Sequence, residues 1–344
     1  VNALDASLLK ESLSNIEDGQ IIINPTLTQT PTRVPTGEQE DPEITTGPTP
    51  TEEEDEPPLP TPSVVSQQDY PPLKPSKPTY TAESDTLKVY IVKHDGYYTS
   101  HIWAKEPYKQ LRKYTTDKYG KEYDQINNIL EKTVDKVGIK NKIAVGFNND
   151  IHVKYNAFYN NSKYWKKYSG NGIILNEGEV KRNDPESKSK RMPVAGIDNT
   201  NTLKLFYENK NPRKEILQSV IARRKISYQS VIDTGVRNTI TTFGYLVYNN
   251  QIQSKVYEKS DHAERQVICQ VNKNNFIQIT TTKGFKNADV AKIAKNLGCL
   301  VALEMDGGGS TALYYKNKST SGWTKRLNST SRGKMWGILY WTEL

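Results

Sequence analysis

The chain has 344 residues, which is enough for one large domain or two domains of ordinary size. Its hydrophobic content of 35% is low for a chain that folds throughout, and the lack of any run of 18 apolar residues excludes a membrane-spanning helix. The formal net charge of +8 is uneven: residues 1–24 carry −3 and residues 25–78 carry −7, so residues 79–344 carry +18. A part this basic favours polyanionic partners, among them teichoic acids, phosphoglycans, nucleic acids and anionic lipid surfaces.

Residues 1–24 are predicted to form a short helical anchor or the end of a preceding domain. Five apolar residues fall on one helical stripe: Leu4, Leu8, Leu9, Leu13 and Ile16. A helix this short is marginal alone, so we expect it to dock on a protein partner. The chain opens on Val1 rather than Met, which is compatible with a processed or trimmed product from which an export signal could have been lost.

Residues 25–78 are predicted to be a disordered, acidic Pro/Thr/Glu-rich linker. They contain 14 of the 18 prolines, and such a composition cannot bury a core and favours extended polyproline conformations. A linker of this length predicts a domain that is displayed away from an anchor, as in a bacterial surface protein or a phage tail component.

The folded domain is predicted to span residues 79–344. Strands are predicted over residues 87–92, 97–103, 143–147, 172–175, 203–207, 244–248, 266–271, 276–281 and 335–341. Helices are predicted over residues 119–137 and 288–298, the second with Asn287 as its N-cap. Many hairpins with a few helices predict an α+β domain, in which helices flank a mixed or antiparallel β-sheet core.

One stretch of the domain, residues 300–315, combines an apolar strand pattern with groups that can bind a ligand. The apolar run leads through Glu304 and Met305 to Asp306, and Gly307, Gly308, Gly309, Ser310 and Thr311 follow. Consecutive glycines can adopt positive φ and bring bare N–H groups close to an anion. The alternative interpretation is a tight turn between two strands.

The helix after Asn287, the residues LGC and the motif DGGGST together resemble the C-terminal signature of the phosphodiester glycosidase family. Weaker pieces occur in the same order, at residues 172–178, 195–205, 244–250, 265–268 and 331–339, so the resemblance covers about residues 85–344. The chain departs from the family pattern at residues 145–150 and at Cys269, where the family has glycine.

The resemblance implies an enzyme that cleaves a sugar from a phosphodiester at the anomeric carbon. It implies Asp306, Arg265 and His262 as catalytic residues, with Arg265 holding the phosphate, Asp306 as the carboxylate and His262 donating a proton. The implied substrate-binding residues are Asn148, Asn149, Gly307, Gly308, Gly309, Ser310 and Thr311.

From the residues alone, an interpretation without a functional role stays open at each of these positions. Arg265 could be an ordinary surface arginine, and Asp306 could cap the glycine turn. His262 could be an incidental loop histidine, and Asn148 and Asn149 could be turn residues. For Glu304, where the family does not usually place an acid, we expect a solvated charge at the strand edge rather than a second catalytic acid.

The remaining residue types predict no cofactor and no metal site, because neither a His/Cys cluster nor an Asp-rich calcium loop is evident. Cys269 and Cys299 are too few for a disulfide framework; they could pair, but we expect two buried thiols.

The sequence thus predicts an extracellular, cell-surface or virion-displayed hydrolase that acts on sugar-1-phosphodiesters of a cell-surface glycan. The expected partner is a carbohydrate phosphodiester or an anionic cell-wall glycan. Nucleic acid is a less favoured partner because no nucleic-acid-binding motif accompanies the basic and aromatic residues. The alternative hypothesis is a catalytically weakened glycan-binding module used for adhesion, which the departures at residues 145–150 and Cys269 favour.

Overall fold

The computed structural model describes residues 65–115, 124–136, 138–148, 174–182, 194–206, 228–253, 263–328, 334–335 and 337–344. All of them belong to the unit that spans Pro57–Leu344. The predictions made for residues 1–24, and for the linker up to residue 64, lie outside the described residues.

The described residues are mostly in β-strands. In chain order the strands are β1 (Tyr80–Glu83), β2 (Leu87–His94), β3 (Tyr97–Ala104), β4 (Leu111–Thr115), β5 (Asp124–Gln125), β6 (Ala144–Asn148), β7 (Ile174–Asn176), β8 (Glu179–Arg182), β9 (Val194–Ile197), β10 (Leu203–Phe206), β11 (Ile240–Thr241), β12 (Gly244–Tyr248), β13 (Gln251–Ile252), β14 (Gln266–Gln270), β15 (Asn275–Thr281), β16 (Val301–Glu304), β17 (Ala312–Lys316), β18 (Thr324–Asn328), β19 (Lys334–Met335) and β20 (Gly337–Thr342). The helices of the same residues are α1 (Pro107–Gln110), α2 (Ile126–Lys136), α3 (Tyr228–Ile232) and α4 (Asn287–Asn296), with a 3₁₀ turn at Gly308–Ser310.

Two antiparallel sheets form the centre of the described part. The larger has the order β1-β2-β3-β15-β14-β16-β12-β13, and the smaller has the order β18-β17-β6-β20-β4. Smaller sheets are formed by β10-β9-β11, by β19-β5 and by β7-β8. The predicted antiparallel core is confirmed, but the predicted α+β class with flanking helices overstates the helices. The sequence consists of short alternating segments that end at Asn and Gly turns, a pattern that yields hairpins rather than helices.

The two large sheets pack face to face over one apolar core. Alternation along the strands places Ile268, Phe276 and Leu303 of the larger sheet in the same cluster as Phe147 and Leu339 of the smaller one. On the opposite face of the larger sheet, α4 packs on β12, β14, β15 and β16. Helix α2 covers the opposite face of the smaller sheet.

The last part of the predicted linker lies against the domain. Asn274 Oδ1 accepts the N–H of Tyr70 at 3.1 Å, and Asn275 Oδ1 accepts the N–H of Leu73 at 2.9 Å. The indole N–H of Trp103 donates to the carbonyl oxygen of Tyr70 at 2.7 Å. Asn274 lies in the β14–β15 turn and Asn275 begins β15, so this segment is held at the end of those strands opposite to Arg265.

Candidate active site

The glycine loop after β16 is packed against the chain that leads into β14. The N–H of Gly308 donates to the carbonyl oxygen of Glu264 at 2.7 Å, and a Cβ added to Gly307 would lie 2.3 Å from that oxygen. Gly308 has a φ of 57°, in the left-handed region that favours glycine. The first two glycines of the motif are therefore required by the close approach of the two segments and by the turn itself.

The loop closes as a short 3₁₀ turn that leaves part of its backbone accessible. Thr311 donates its N–H to the carbonyl oxygen of Gly308 at 3.0 Å, and Ser310 donates to that of Gly307 at 3.2 Å. Ser310 and Thr311 are buried, whereas the three glycines are half-buried. Among the described residues, the N–H groups of Gly307 and Gly309 have no hydrogen-bond acceptor. The loop thus offers main-chain donors rather than hydroxyls at its accessible edge.

Arg265 lies immediately before β14, and its main chain is held by Thr281 at the end of β15. The N–H of Arg265 donates to Thr281 Oγ1 at 2.6 Å, and the N–H of Thr281 donates to the carbonyl oxygen of Arg265 at 2.9 Å. Because side chains alternate along a strand, Arg265 points to the same face as Val267, the face that α4 covers. The residue is only 6% exposed, so it is not an ordinary surface arginine.

The guanidinium of Arg265 is paired with a carboxylate under the start of α4. Its Nη1 lies 3.3 Å from Glu304 Oε1, and its Nε donates to the carbonyl oxygen of Phe285 at 3.1 Å. The other carboxylate oxygen of Glu304, Oε2, accepts the Nδ2–H of Asn287 at 2.8 Å.

Two expectations from the sequence are wrong at this cluster. Glu304 was expected to be solvated, but its side chain is 8% exposed because β16 pairs with β14 in a register that places Glu304 opposite Val267. Asn287 was expected to cap its helix, but it is the first helical residue, and its side chain binds Glu304 instead. Buried charges are found paired because an unpaired charge away from water is very costly.

Gln266 joins the two large sheets at the candidate site, a role that the sequence did not reveal. Its side chain is fully buried, its Nε2 donates to the carbonyl oxygen of Asn148 at 2.8 Å, and its Oε1 accepts the N–H of Ala312 at 3.1 Å. The sequence feature that could have indicated this role is a glutamine on the apolar side of an alternating strand pattern. Such a side chain requires polar partners inside the protein.

The structure brings most of the predicted site residues to one end of the two sheets. The pairing of β14 with β16 places Arg265 and Asp306 at the same end of the larger sheet. Asp306 is 6% exposed. Asn148 is the last residue of β6 and is held to the same end by Gln266. His262 and Asn149 lie outside the described residues. Within the described ranges no group of His, Cys, Asp and Glu is arranged to hold a metal ion.

Cys269 and Cys299 form a disulfide, which corrects the expectation of two free thiols. Their Cα atoms are 5.7 Å apart, and the bond joins β14 to the residue that follows the turn after α4. Gly298, with a φ of 81°, reverses the chain after the helix and so brings Cys299 beside the helix-covered face of β14. The disulfide therefore connects the strand that begins after Arg265 to the C-terminal end of the helix that begins with Asn287.

Comparison with known proteins agrees with the resemblance in the sequence. A family model described as phosphodiester glycosidase matches residues 140–338, more than half of the chain. No curated protein matches the chain by sequence. No helix in the described part of the chain is long and apolar enough to cross a membrane.

Solved structures with similar folds include a hypothetical protein from Synechocystis, with 11% sequence identity and a TM-score of 0.46 over 74% of this chain. The match spans 61% of the length of the Synechocystis chain. Another is the catalytic domain of zebrafish N-acetylglucosamine-1-phosphodiester α-N-acetylglucosaminidase, auto-inhibited by its pro-peptide, with 13% identity and a TM-score of 0.44 over 74% of this chain and 81% of that one. On the extent of the family match, this chain belongs to the phosphodiester glycosidase family.

Proposed function

We propose that the domain is a hydrolase that cleaves sugar-1-phosphodiester linkages of a cell-surface glycan. The observation that carries the proposal is the meeting of Arg265, Asp306 and the glycine loop at one end of β14 and β16. The loop is joined directly to the residue before Arg265 by the hydrogen bond from Gly308 to Glu264.

The proposed chemistry follows from the charge that develops on the phosphate as the sugar–oxygen bond breaks. Main-chain donors of the glycine loop and the guanidinium of Arg265 would stabilise that growing negative charge. Asp306 would activate water or stabilise the oxocarbenium-like sugar, as carboxylates do in glycoside hydrolysis. The products would be a free sugar and a phosphomonoester.

The proposed site of action is outside the cell or on a particle. The buried Cys269–Cys299 disulfide supports this proposal, because structural disulfides persist mainly in oxidising environments. The charge of +18 on residues 79–344 supports an anionic glycan as the partner.

The test is hydrolysis by the purified full chain. The chain is incubated with a UDP-sugar and with a simple sugar-1-phosphodiester, and the release of reducing sugar and phosphomonoester is measured. We expect turnover by the wild type and its loss in Asp306→Ala. Turnover that persists unchanged in Asp306→Ala would remove Asp306 from the mechanism.

A second candidate function is a glycan-binding module without turnover. The specific observation in its favour is the Arg265–Glu304 pair, because a carboxylate of the chain itself already contacts the guanidinium proposed to hold the phosphate. Calorimetry with the same phosphodiesters separates the two functions: saturable binding with no product release selects the module. Neither binding nor release would indicate an interaction scaffold.

A further inference from the structure

We infer that Glu304 and Asn287 are positioning residues that hold the Arg265 guanidinium in one orientation beside the glycine loop. The inference rests on the proposed function, which assigns the contact with the substrate phosphate to Arg265. It gives a role in the reaction to two residues that would otherwise count only as part of the fold.

The first step is the geometry of the guanidinium. Its Nε is directed at the carbonyl oxygen of Phe285 at 3.1 Å, and its Nη1 is directed at Glu304 Oε1 at 3.3 Å. The guanidinium is a planar group with donors in a rigid fork. Two hydrogen bonds to acceptors on different segments therefore set both the position and the plane of the group.

The second step is that Glu304 is itself fixed. Its Oε2 accepts the Nδ2–H of Asn287 at 2.8 Å, and its carbonyl oxygen accepts Thr242 Oγ1–H at 2.6 Å and the N–H of Phe243 at 2.9 Å. Asn287 begins a ten-residue helix, and the positive end of its dipole favours a carboxylate at this position. Because Glu304 is held through both its side chain and its main chain, its carboxylate is a rigid support for the arginine.

The third step is the location of the pair. Glu304 lies two residues before Asp306, and Arg265 directly follows Glu264, whose carbonyl oxygen receives the Gly308 N–H. The side chains of Arg265 and Glu304 are 7% and 8% exposed, so salt and water screen their interaction little. A rotation of the guanidinium would therefore occur next to the groups proposed to act on the substrate.

A positioning role and a binding role predict different effects on kcat and KM. The charge on the phosphate grows in the transition state, so a misdirected guanidinium costs more there than in the bound ground state. We expect Glu304→Gln to lower kcat roughly 10- to 100-fold, the usual range for the loss of a supporting partner, while KM changes by no more than about threefold. Asn287→Ala keeps the ion pair and is expected to lower kcat by a smaller factor.

The experiment uses the full chain and four variants: Glu304→Gln, Asn287→Ala, Arg265→Lys and the control Asp289→Asn. Asp289 lies in the first turn of the same helix but makes no contact with Arg265 or Glu304 that the described residues show. Three readouts are measured: kcat and KM on a sugar-1-phosphodiester, hydrogen exchange of the Arg265 Nε–H by NMR, and the affinity for inorganic phosphate by calorimetry. The resonance is identified by its absence in Arg265→Lys.

We expect a slowly exchanging Nε–H in the wild type and in Asp289→Asn, and at least tenfold faster exchange in Glu304→Gln. Wild-type kcat and wild-type exchange in both Glu304→Gln and Asn287→Ala would overturn the inference. Tighter binding of inorganic phosphate by Glu304→Gln than by the wild type would also overturn it, because the carboxylate would then compete with the substrate for the arginine. If the wild type shows no turnover, the proposed function fails, and the exchange measurement still decides whether Glu304 and Asn287 fix the guanidinium.

Discussion

The N–H of Gly308 donates to the carbonyl oxygen of Glu264 at 2.7 Å, which fastens the loop after β16 to the residue before Arg265. This one hydrogen bond links two segments that are more than forty residues apart in the chain. It places the glycine loop against the main chain at Arg265, so that the two halves of the candidate site are neighbours. Several variants test how far stability and activity depend on this arrangement.

Gly307→Ala is expected to displace the loop. The added Cβ would meet the main-chain oxygen of Glu264 at 2.3 Å, and a main-chain atom cannot rotate away as a flexible side chain does. We expect a loss of about 1–3 kcal/mol in the free energy of unfolding and at least a tenfold drop in turnover. Urea denaturation and the phosphodiester assay measure the two effects. Gly322→Ala is the matched control, since its Cβ would meet nothing within 4 Å.

Gln266→Leu is expected to weaken the junction of the two large sheets. It keeps the volume of the side chain but removes the two buried hydrogen bonds that Gln266 makes to the carbonyl oxygen of Asn148 and the N–H of Ala312. Such a loss costs about 2–4 kcal/mol for two groups. Denaturant unfolding of the variant is compared with Gln68→Leu, a change at an exposed position. Equal stability of the two variants would contradict a bridging role for Gln266.

The double variant Cys269→Ala/Cys299→Ala is expected to unfold at lower temperature than the wild type. The bond closes a loop with a sequence separation of 30, for which the chain-entropy model gives about 3–4 kcal/mol. The melting temperature is measured with and without a reducing agent. Reduction should lower the melting temperature of the wild type and leave that of the double variant unchanged. If a strong reductant does not change the melting temperature of the wild type, the disulfide is not a stabilising bond.

Acid is expected to destabilise the domain through His101. Burial, with a smaller contribution from the charge of His94, lowers the pKa of His101 to about 4, below the value of 6.5 for an exposed histidine. The unfolded chain binds the proton first, so the stability from neutral His101 is complete above pH 6.5 and is lost as the pH falls towards 4. The expected loss between pH 7 and pH 4 is about 3 kcal/mol.

The measurement is the free energy of unfolding from pH 7 to pH 4 for the wild type and His101→Gln. The variant should show a smaller decline over this interval. Thr99 Oγ1 lies between the two rings, 2.9 Å from His94 Nε2 and 3.1 Å from His101 Nε2, so Thr99→Val tests whether the hydroxyl contributes to the neutral state. An identical pH profile for wild type and His101→Gln would refute the prediction.

Local patterns in the sequence predicted the elements of the site well. The strand over residues 244–248 agrees with β12 at both ends, and the helix over residues 288–298 agrees with α4 to within two residues. The predicted helix over residues 119–137 begins too early, because residues 124–125 form β5 and pair with β19. The hydrophobic periodicity of the helix continues into the residues before it, so the periodicity does not mark where α2 starts. The pairing of β5 with β19 determines that boundary.

Side-chain partners were predicted less well than elements. Glu304 and Asn287 were assigned the roles that an acid at a strand end and an asparagine before a helix usually have in isolation. Their actual roles depend on each other and on Arg265, which lies 39 residues before Glu304 in the chain. Likewise, nothing close to Cys269 in sequence indicates that Cys299 lies beside it.

By itself, the sequence determined most strands of the larger sheet, the glycine loop that follows the central strand, and the family to which the chain belongs, because each is marked by residues close together in the chain. Only the tertiary structure decided that Glu304 is buried against Arg265, that the cysteines are bonded and that Gln266 joins the sheets. The physical reason is the register of β14 with β16 and the packing of the two sheets, which are set by contacts between distant segments.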